Sequence, residues 1–449
     1  MRKYIDGIHL TSFQIIIMGF SLVILAGTLL LMLPFSSVDG GCASFGDALF
    51  TATSAVCVTG LVVQDTATYW TGFGQAVILL LIQIGGMGVV TTAVAVALVS
   101  GRKISLMQRS TMQEAISAHH VGGIVKLTGF ILKTTLMIEL VGAAALGIAF
   151  ARDFGWMKGA WYGLFHSVSA FCNAGFDLMG ARAQFSSLTG CADWPVINAT
   201  VMLLIIIGGV GFLTWEDVKT NRWNLRAYRM QSKVILSTTG ALLLFPALFF
   251  YFGEFSRAEW ASMSRAERLL ASLFQSVTPR TAGFNTVDLS RMSEVSRFLI
   301  ILLMLIGGSP GSTAGGMKTT TLAVLICSAR SVFKRRETIR CFGRRIDVDA
   351  VRSASTILML YLVLSIAGGM LISWMEQLPV LTGLFEAASA IGTVGLTLGV
   401  TPQLGTASRA VLIALMFFGR VGGLTLIFAA ASGKRPYAAR LPREKITVG

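Results

Sequence analysis

Residues 384–396 read LFEAASAIGTVGL, and the tripeptide Thr393-Val394-Gly395 near the end of that stretch decides how the rest of the chain is read. An apolar, Ala-rich run suited to a short helix stops at Gly392. Three residues then offer backbone carbonyls, and Gly395 permits a conformation that no other residue adopts cheaply. Loops of this kind replace the water shell of a dehydrated cation with inward-pointing carbonyl oxygens. One Thr-Val-Gly in a long apolar chain is uninformative, but this one belongs to a set of four.

The same phrase recurs as LFTATSAVCVTGL at 49–61, LFHSVSAFCNAGF at 164–176 and LFQSVTPRTAGF at 273–284. Each copy opens on Leu-Phe, carries Ser54, Ser169, Thr278 or Ser389 four residues after the Phe, and reaches Gly60, Gly175, Gly283 or Gly395. The Phe-to-Gly distance is ten residues in three copies and nine in the third. The glycines lie 115, 108 and 112 residues apart, so the 449 residues divide into four quasi-repeats, expected at 1–122, 123–232, 233–352 and 353–449. Four such loops on one chain can close one ring.

With 54% hydrophobic residues, 13% charged residues and 48 glycines, the composition is that of a polytopic membrane protein. The formal charge of +15 raises nucleic acid as a partner only until its placement is read. Of 37 Lys and Arg, 23 fall in the N-terminus, the loop after residue 100, residues 216–233, residues 329–352 and the tail after 432. The positive-inside rule makes these segments cytoplasmic, which requires eight crossings, both ends inside and the four Gly loops outside. The expected fold is therefore an all-α polytopic membrane protein of the cell membrane. Its eight transmembrane helices and four re-entrant pore helices surround one central pore.

First spans are expected at residues 13–33, 124–150, 234–252 and 354–374. Second spans are expected at 75–99, 195–215, 298–329 (broken) and 410–432. The 13–33 run follows Arg2 and Lys3 as a secretion signal would, but it is long enough for a ~30 Å core and lacks a small-residue cleavage site, so it reads as a retained span. About 40 residues separate consecutive spans on the outer side, much of them apolar. Backbone that re-enters a membrane is tolerated where it lines a water-filled cavity or is buried in protein. The six cysteines (42, 57, 172, 191, 327, 341) show no metal spacing. Cys42 and Cys191 fall in external loops where a disulfide is conceivable, with free thiols the plainer reading. The four His suggest no ligand set.

The short helices end at the loops, so their negative ends favour a cation there. The candidate ion-binding residues, through their backbone, are Val58, Thr59 and Gly60; Asn173, Ala174 and Gly175; Thr281, Ala282 and Gly283; and Thr393, Val394 and Gly395. The competing reading, that the glycines only let spans pack closely, is the usual role of small residues in membranes. A second mark follows in the second spans at Gly85-Gly86, Gly208-Gly209, Gly307-Gly308 and Gly419-Arg420. In the third repeat it opens into residues 307–319, GGSPGSTAGGMKT, where Gly307, Gly308, Ser309, Pro310, Gly311, Ser312, Thr313, Ala314, Gly315 and Gly316 cannot continue a helix. A flexible stretch directly below a selectivity loop is a gate candidate. Gly311 to Thr319 also approximates a phosphate loop, but Met317 stands where Lys should and no strand precedes it. Arg420 is a charge inside an apolar span, and it reads as a positive barrier that holds the gate loop through its carbonyls. Glu139 and Lys133 read as helix-pairing residues, and Glu386 as a group able to hydrogen-bond behind its loop.

Four loops ending VCVTG, FCNAG, PRTAG and IGTVG, with GGSPGSTAGGMKT and Arg420, closely resemble the Trk/Ktr/HKT superfamily of cation transporters over essentially the whole chain. Length and the lack of an extra N-terminal pair of spans resemble its KtrB-like membrane subunits most. The resemblance implies potassium uptake, often sodium-dependent, by a homodimer with one pore per subunit on a cytoplasmic ring of nucleotide-binding KtrA-like subunits. Potassium, with sodium beside it, is then the bound ion. The chain shows no dinucleotide fingerprint and no organic cofactor site of its own. Some plant members with Ser at the first loop glycine prefer sodium, and Gly60 favours potassium. The alternatives are a sodium-coupled secondary carrier or a sodium-permeable cation channel of the same fold. An intramembrane enzyme would need a clustered nucleophile, base or metal set within the spans, and no such set is read.

Overall fold

The computed structural model describes residues 3–5, 8–100, 106–115 and 123–422. Sixteen α-helices follow one another among the described residues. They are α1 (Ser12–Leu31), α2 (Phe45–Val56), α3 (Gly72–Met87), α4 (Val89–Val99), α5 (Leu106–Ala115), α6 (Ile124–Phe154), α7 (Trp156–Phe171) and α8 (Pro195–Val210), then α9 (Phe212–Asn221), α10 (Met230–Phe249), α11 (Arg265–Val277), α12 (Glu294–Leu305), α13 (Thr319–Phe333), α14 (Val348–Glu376), α15 (Val380–Gly392) and α16 (Thr406–Val421). Two small antiparallel hairpins, Lys3–Ile5 with Ile8–Leu10 and Arg340–Cys341 with Arg344–Arg345, are the strands among the described residues.

The helices α1, α6, α10 with the π-turn that extends it to Glu254, and α14 are long and apolar enough to cross a membrane. These match the expected first spans within a few residues. Their outer faces expose Leu22, Val141, Met359 and Trp374, an apolar surface far larger than a water-soluble protein tolerates. Their inner faces pack on the short helices α2, α7, α11 and α15. The repeated Phe50, Phe165, Phe274 and Phe385 of the Leu-Phe signature are all fully buried there, worth about 1.5–3 kcal/mol each. Small residues set the approach: a Cβ at Gly163 of α7 would stand 2.6 Å from the Gly147 Cα of α6.

Carboxylates tie the C-terminal ends of two of the long helices to neighbouring segments. Glu254 accepts from the Ser293 and Ser296 hydroxyls (2.5 and 2.7 Å), and Glu376 from the Gly405 N–H and Ser408 hydroxyl (2.9 and 2.5 Å). Each joins the end of a long helix to the start of the helix that returns from the loop.

The second spans depart from expectation. Those at 75–99 and 195–215 are not straight: α3 and α4 bend by 98°, and α8 and α9 by 95°. The break falls at Gly88 (φ +84°) and Gly211 (φ +98°), a left-handed backbone that only glycine adopts freely, and Gly422 (φ +90°) ends α16 likewise. All three follow the glycine mark by the same spacing, in GGMG, GGVG and GRVG. The third, expected as broken, is α12, an irregular loop and α13. Residues 423–432 of the fourth, the basic tail and residues 101–105 lie outside the described residues.

Candidate functional site: a ring of four glycine loops

Each short helix delivers the chain to a triplet with one backbone pattern. The first residue is left-handed at Val58 (φ +49°), Asn173 (+57°), Thr281 (+66°) and Thr393 (+51°), and the third is left-handed at Gly60 (+87°), Gly175 (+71°), Gly283 (+80°) and Gly395 (+93°). Alternating hand around the middle residue turns successive carbonyls toward the same side. Left-handed backbone at a β-branched residue costs about 1–3 kcal/mol and persists where the surroundings over-determine it.

The conserved spacing of Ser and Thr in the four copies supplies that support. The middle N–H donates to the Ser54, Ser169 and Ser389 carbonyls at 2.8 Å and to the Thr278 carbonyl at 3.0 Å in the shorter third loop. The Ser54 and Ser389 hydroxyls accept from the Gly60 and Gly395 N–H (3.1 and 3.0 Å). Those of Ser169 and Thr278 donate to the Phe176 and Phe284 carbonyls (2.7 and 2.6 Å).

All twelve residues singled out in the sequence come together, buried, in one closed ring. The open side of Gly60 faces the Ala174 carbonyl oxygen, that of Gly175 the Ala282 oxygen, that of Gly283 the Val394 oxygen and that of Gly395 the Thr59 oxygen. A Cβ on any of the four would overlap its neighbour's carbonyl. The triplets carry no carboxylate, and Arg280, beside Thr281, turns away to donate to the Thr239 hydroxyl of α10 (3.4 Å). Carbonyls without fixed charge suit a dehydrated monovalent cation.

The loop between α12 and α13 lies against the inner side of this ring. Its base is closed by Gly307 N–H to the Met317 carbonyl (2.8 Å) and Thr319 N–H to the Gly308 carbonyl (3.0 Å). Its arch is stitched to the α8–α9 break by Ser309 N–H to Gly209, Thr313 N–H to Gly208 and Phe212 N–H to Gly311. A Cβ at Gly307 would stand 3.1 Å from Thr281 Cγ2, and one at Gly315 would overlap the Thr393 hydroxyl. Arg420 donates from Nη1 to the Thr313 carbonyl (2.5 Å) and from Nη2 to the Gly85 and Gly86 carbonyls, which pins the loop to the α3–α4 break. Lys318 Nζ adds bonds to the Ala314 and Gly315 carbonyls (2.7 and 3.3 Å). The phosphate reading ends here, because this lysine is occupied by the oxygens of its own loop. Beneath the loop a cavity of about 330 Å³ opens between Arg420, Lys318 and the apolar face of α1.

Two residues behind the ring escaped the sequence reading or were left open by it. The position after the signature Phe is His166 in the second copy and Glu386 in the fourth. His166 Nδ1 meets the Tyr162 carbonyl at 2.7 Å, so that nitrogen carries the proton and Nε2 accepts from the Leu178 N–H (3.3 Å). Glu386 Oε1 accepts from the Leu398 N–H (3.0 Å) and Thr397 hydroxyl (2.6 Å), and Oε2 from the Thr401 hydroxyl (2.7 Å). Leu178 and Leu398 each follow a ring glycine by three residues, so the two side chains do one job in two chemistries. Glu139 pairs helices: it accepts from Gln83 of α3 (3.2 Å), and its carbonyl accepts from Ser167 of α7 (2.7 Å). Cys191 is buried, Cys42 is exposed, and both are free thiols.

Glu386→Ala strips the acceptor from three donors at once. With about 1.5–3 kcal/mol for a hydrogen bond to a charged group, a loss of roughly 2–4 kcal/mol is expected, read as a lower unfolding temperature in detergent. Glu386→Gln, which keeps one acceptor, should lose less.

These features define a multi-pass, all-helical membrane protein of the cation-transport class. The chain belongs to the TrkH family of cation transport proteins, whose family model matches residues 7–435. It is 40% identical to the potassium/sodium uptake protein NtpJ of Enterococcus hirae over 98% of either chain. It is 39% identical to the Ktr system potassium uptake protein B of Bacillus subtilis, over 96% of this chain and 95% of that one. Its fold is that of the potassium transporter TrkH from Vibrio parahaemolyticus, with a TM-score of 0.70 and 21% identity over 95% of this chain and 85% of that one. The family is one of transporters, not of enzymes.

Proposed function

We propose that this chain is the pore-forming subunit of a potassium uptake system of the cytoplasmic membrane. Four quarters, 1–122, 123–232, 233–352 and 353–449, supply eight membrane-crossing segments and four re-entrant pore helices around one central pathway, with both termini cytoplasmic. The observation that carries this reading is the relay of carbonyls in which each ring glycine seats the next triplet's oxygen. The twelve triplet residues form the selectivity filter and bind the ion through their carbonyls, and residues 307–319 with Arg420 form the gate. The names of the Enterococcus and Bacillus relatives support potassium as the ion. The former also supports a second reading, in which sodium permeates or is coupled.

The protein works as a homodimer under the control of a cytoplasmic, nucleotide-binding ring. The relative named as one protein of a Ktr system supports a partner. So does the inner-face hairpin bearing Arg340, Arg344 and Arg345 beside the exposed Phe333. Anionic lipid suits the same charges, so the test excludes it. Cells lacking their own potassium transport should regain potassium uptake with this chain, more so with the ring protein, and a detergent pull-down without anionic lipid should recover the ring. Absence of potassium uptake at verified surface expression overturns the pore reading, and failure of the pull-down overturns the partner.

A further inference from the structure

Three of the four triplets open on Val58, Thr281 or Thr393, and the second opens on Asn173. Its backbone belongs to the ring, but its side chain, 1% exposed, does something the other three do not. Nδ2 donates to the Arg280 carbonyl (3.3 Å) and reaches the Thr281 hydroxyl (3.5 Å) in the third triplet's segment. A carbonyl only accepts, so the amide nitrogen must face Arg280, which leaves Oδ1 facing inward. There it meets the Thr313 hydroxyl of the gate loop at 3.1 Å, while the same hydroxyl lies 3.0 Å from the Phe171 carbonyl.

We infer that Asn173 is a positioning residue that couples the gate loop to the selectivity filter, so that withdrawal of the loop alters the filter's second and third walls. The inference rests on the proposed gate at 307–319. Thr313 has one hydroxyl proton and two acceptors to share it, so its departure strips the donor from Phe171 and Asn173 together. Both oxygens then turn to the incoming ion or its water, and the loop and the cation compete for the same two groups. The fold leaves room for this contact: a Cβ at Gly208 would stand 2.9 Å from both Asn173 Oδ1 and the Thr313 hydroxyl. Asparagine also suits the left-handed backbone at φ +57° better than most residues that could bridge here.

The test is potassium and sodium flux in proteoliposomes holding the full chain, without the ring protein. Thr313→Val, which lies outside the filter, should raise basal flux by about threefold to tenfold, the shift one buried hydrogen bond carries, and should also lower the preference for potassium over sodium. Thr313→Ser keeps the hydroxyl and should restore the parent behaviour in both readouts. Asn173→Thr places at this position the residue of the third and fourth triplets, and should raise basal flux as Thr313→Val does. The double variant should gain no more than either single one, as coupled sites behave. Additive effects, or a Thr313→Val protein with raised flux and unchanged selectivity, overturn the coupling and leave the gate intact. If deleting residues 312–316 also leaves basal flux unchanged, the gate reading itself falls.

Discussion

Gly60→Ser should cost the protein at least about tenfold in its preference for potassium over sodium, a change of ~1.4 kcal/mol between the two ions. At φ +87° a side chain strains the backbone wherever it points, and here it points into the Ala174 carbonyl oxygen. That oxygen must move, and with it the spacing on which replacement of the ion's hydration shell depends. The relay predicts the same kind of loss at Gly175, Gly283 and Gly395, since each seats a neighbour's carbonyl. Competitive uptake of the two ions, scored at equal surface expression, reads the effect. Selectivity unchanged in Gly60→Ser would remove that glycine from the filter.

The second large effect is expected on deleting Ser312 to Gly316. The deletion removes the Thr313 bonds to Phe171 and Asn173, the Thr313 carbonyl that Arg420 holds, and the Gly315 contact under Thr393. The base of the loop stays, because Gly307 to Met317 and Gly308 to Thr319 lie outside the cut. Basal cation flux should rise by an order of magnitude or more and lose most of its dependence on the cytoplasmic partner, as removal of several hydrogen bonds of about 1 kcal/mol each implies. Arg420→Ala should act in the same direction and by less, since Thr313 keeps its other bonds. Well-expressed deletion protein with parental flux and full partner dependence would reduce the loop to a helix break.

The spans and the four loops were legible because both are periodic in the sequence: long apolar runs between basic segments, and a phrase repeated at nearly constant distance. The bends at Gly88 and Gly211 were not, although GGMG and GGVG stand in plain view. A glycine in an apolar run is ordinarily carried within a helix, and whether it breaks there depends on what lies beside it. Beside Gly211 lies the loop between α12 and α13, whose Gly311 carbonyl accepts the Phe212 N–H, a partner a hundred residues away. His166, and the partners of Glu386, stayed obscure for a related reason. Their role depends on the register between a helix and the limb returning past it, and nothing local couples His166 to Leu178. Asn173 was singled out in the sequence for its backbone alone, and its side chain acquired a purpose only once the loop between α12 and α13 was seen to reach it.

In assemblies of identical subunits, one codon change alters every wall of the opening together. Here the relay of carbonyls runs through four unlike segments of one polypeptide, so a substitution at one glycine disturbs its own wall and the neighbour it seats, and leaves the other two standing. Ion preference in such a protein can drift by small steps. A point mutation can then retune part of the opening without altering all four walls at once.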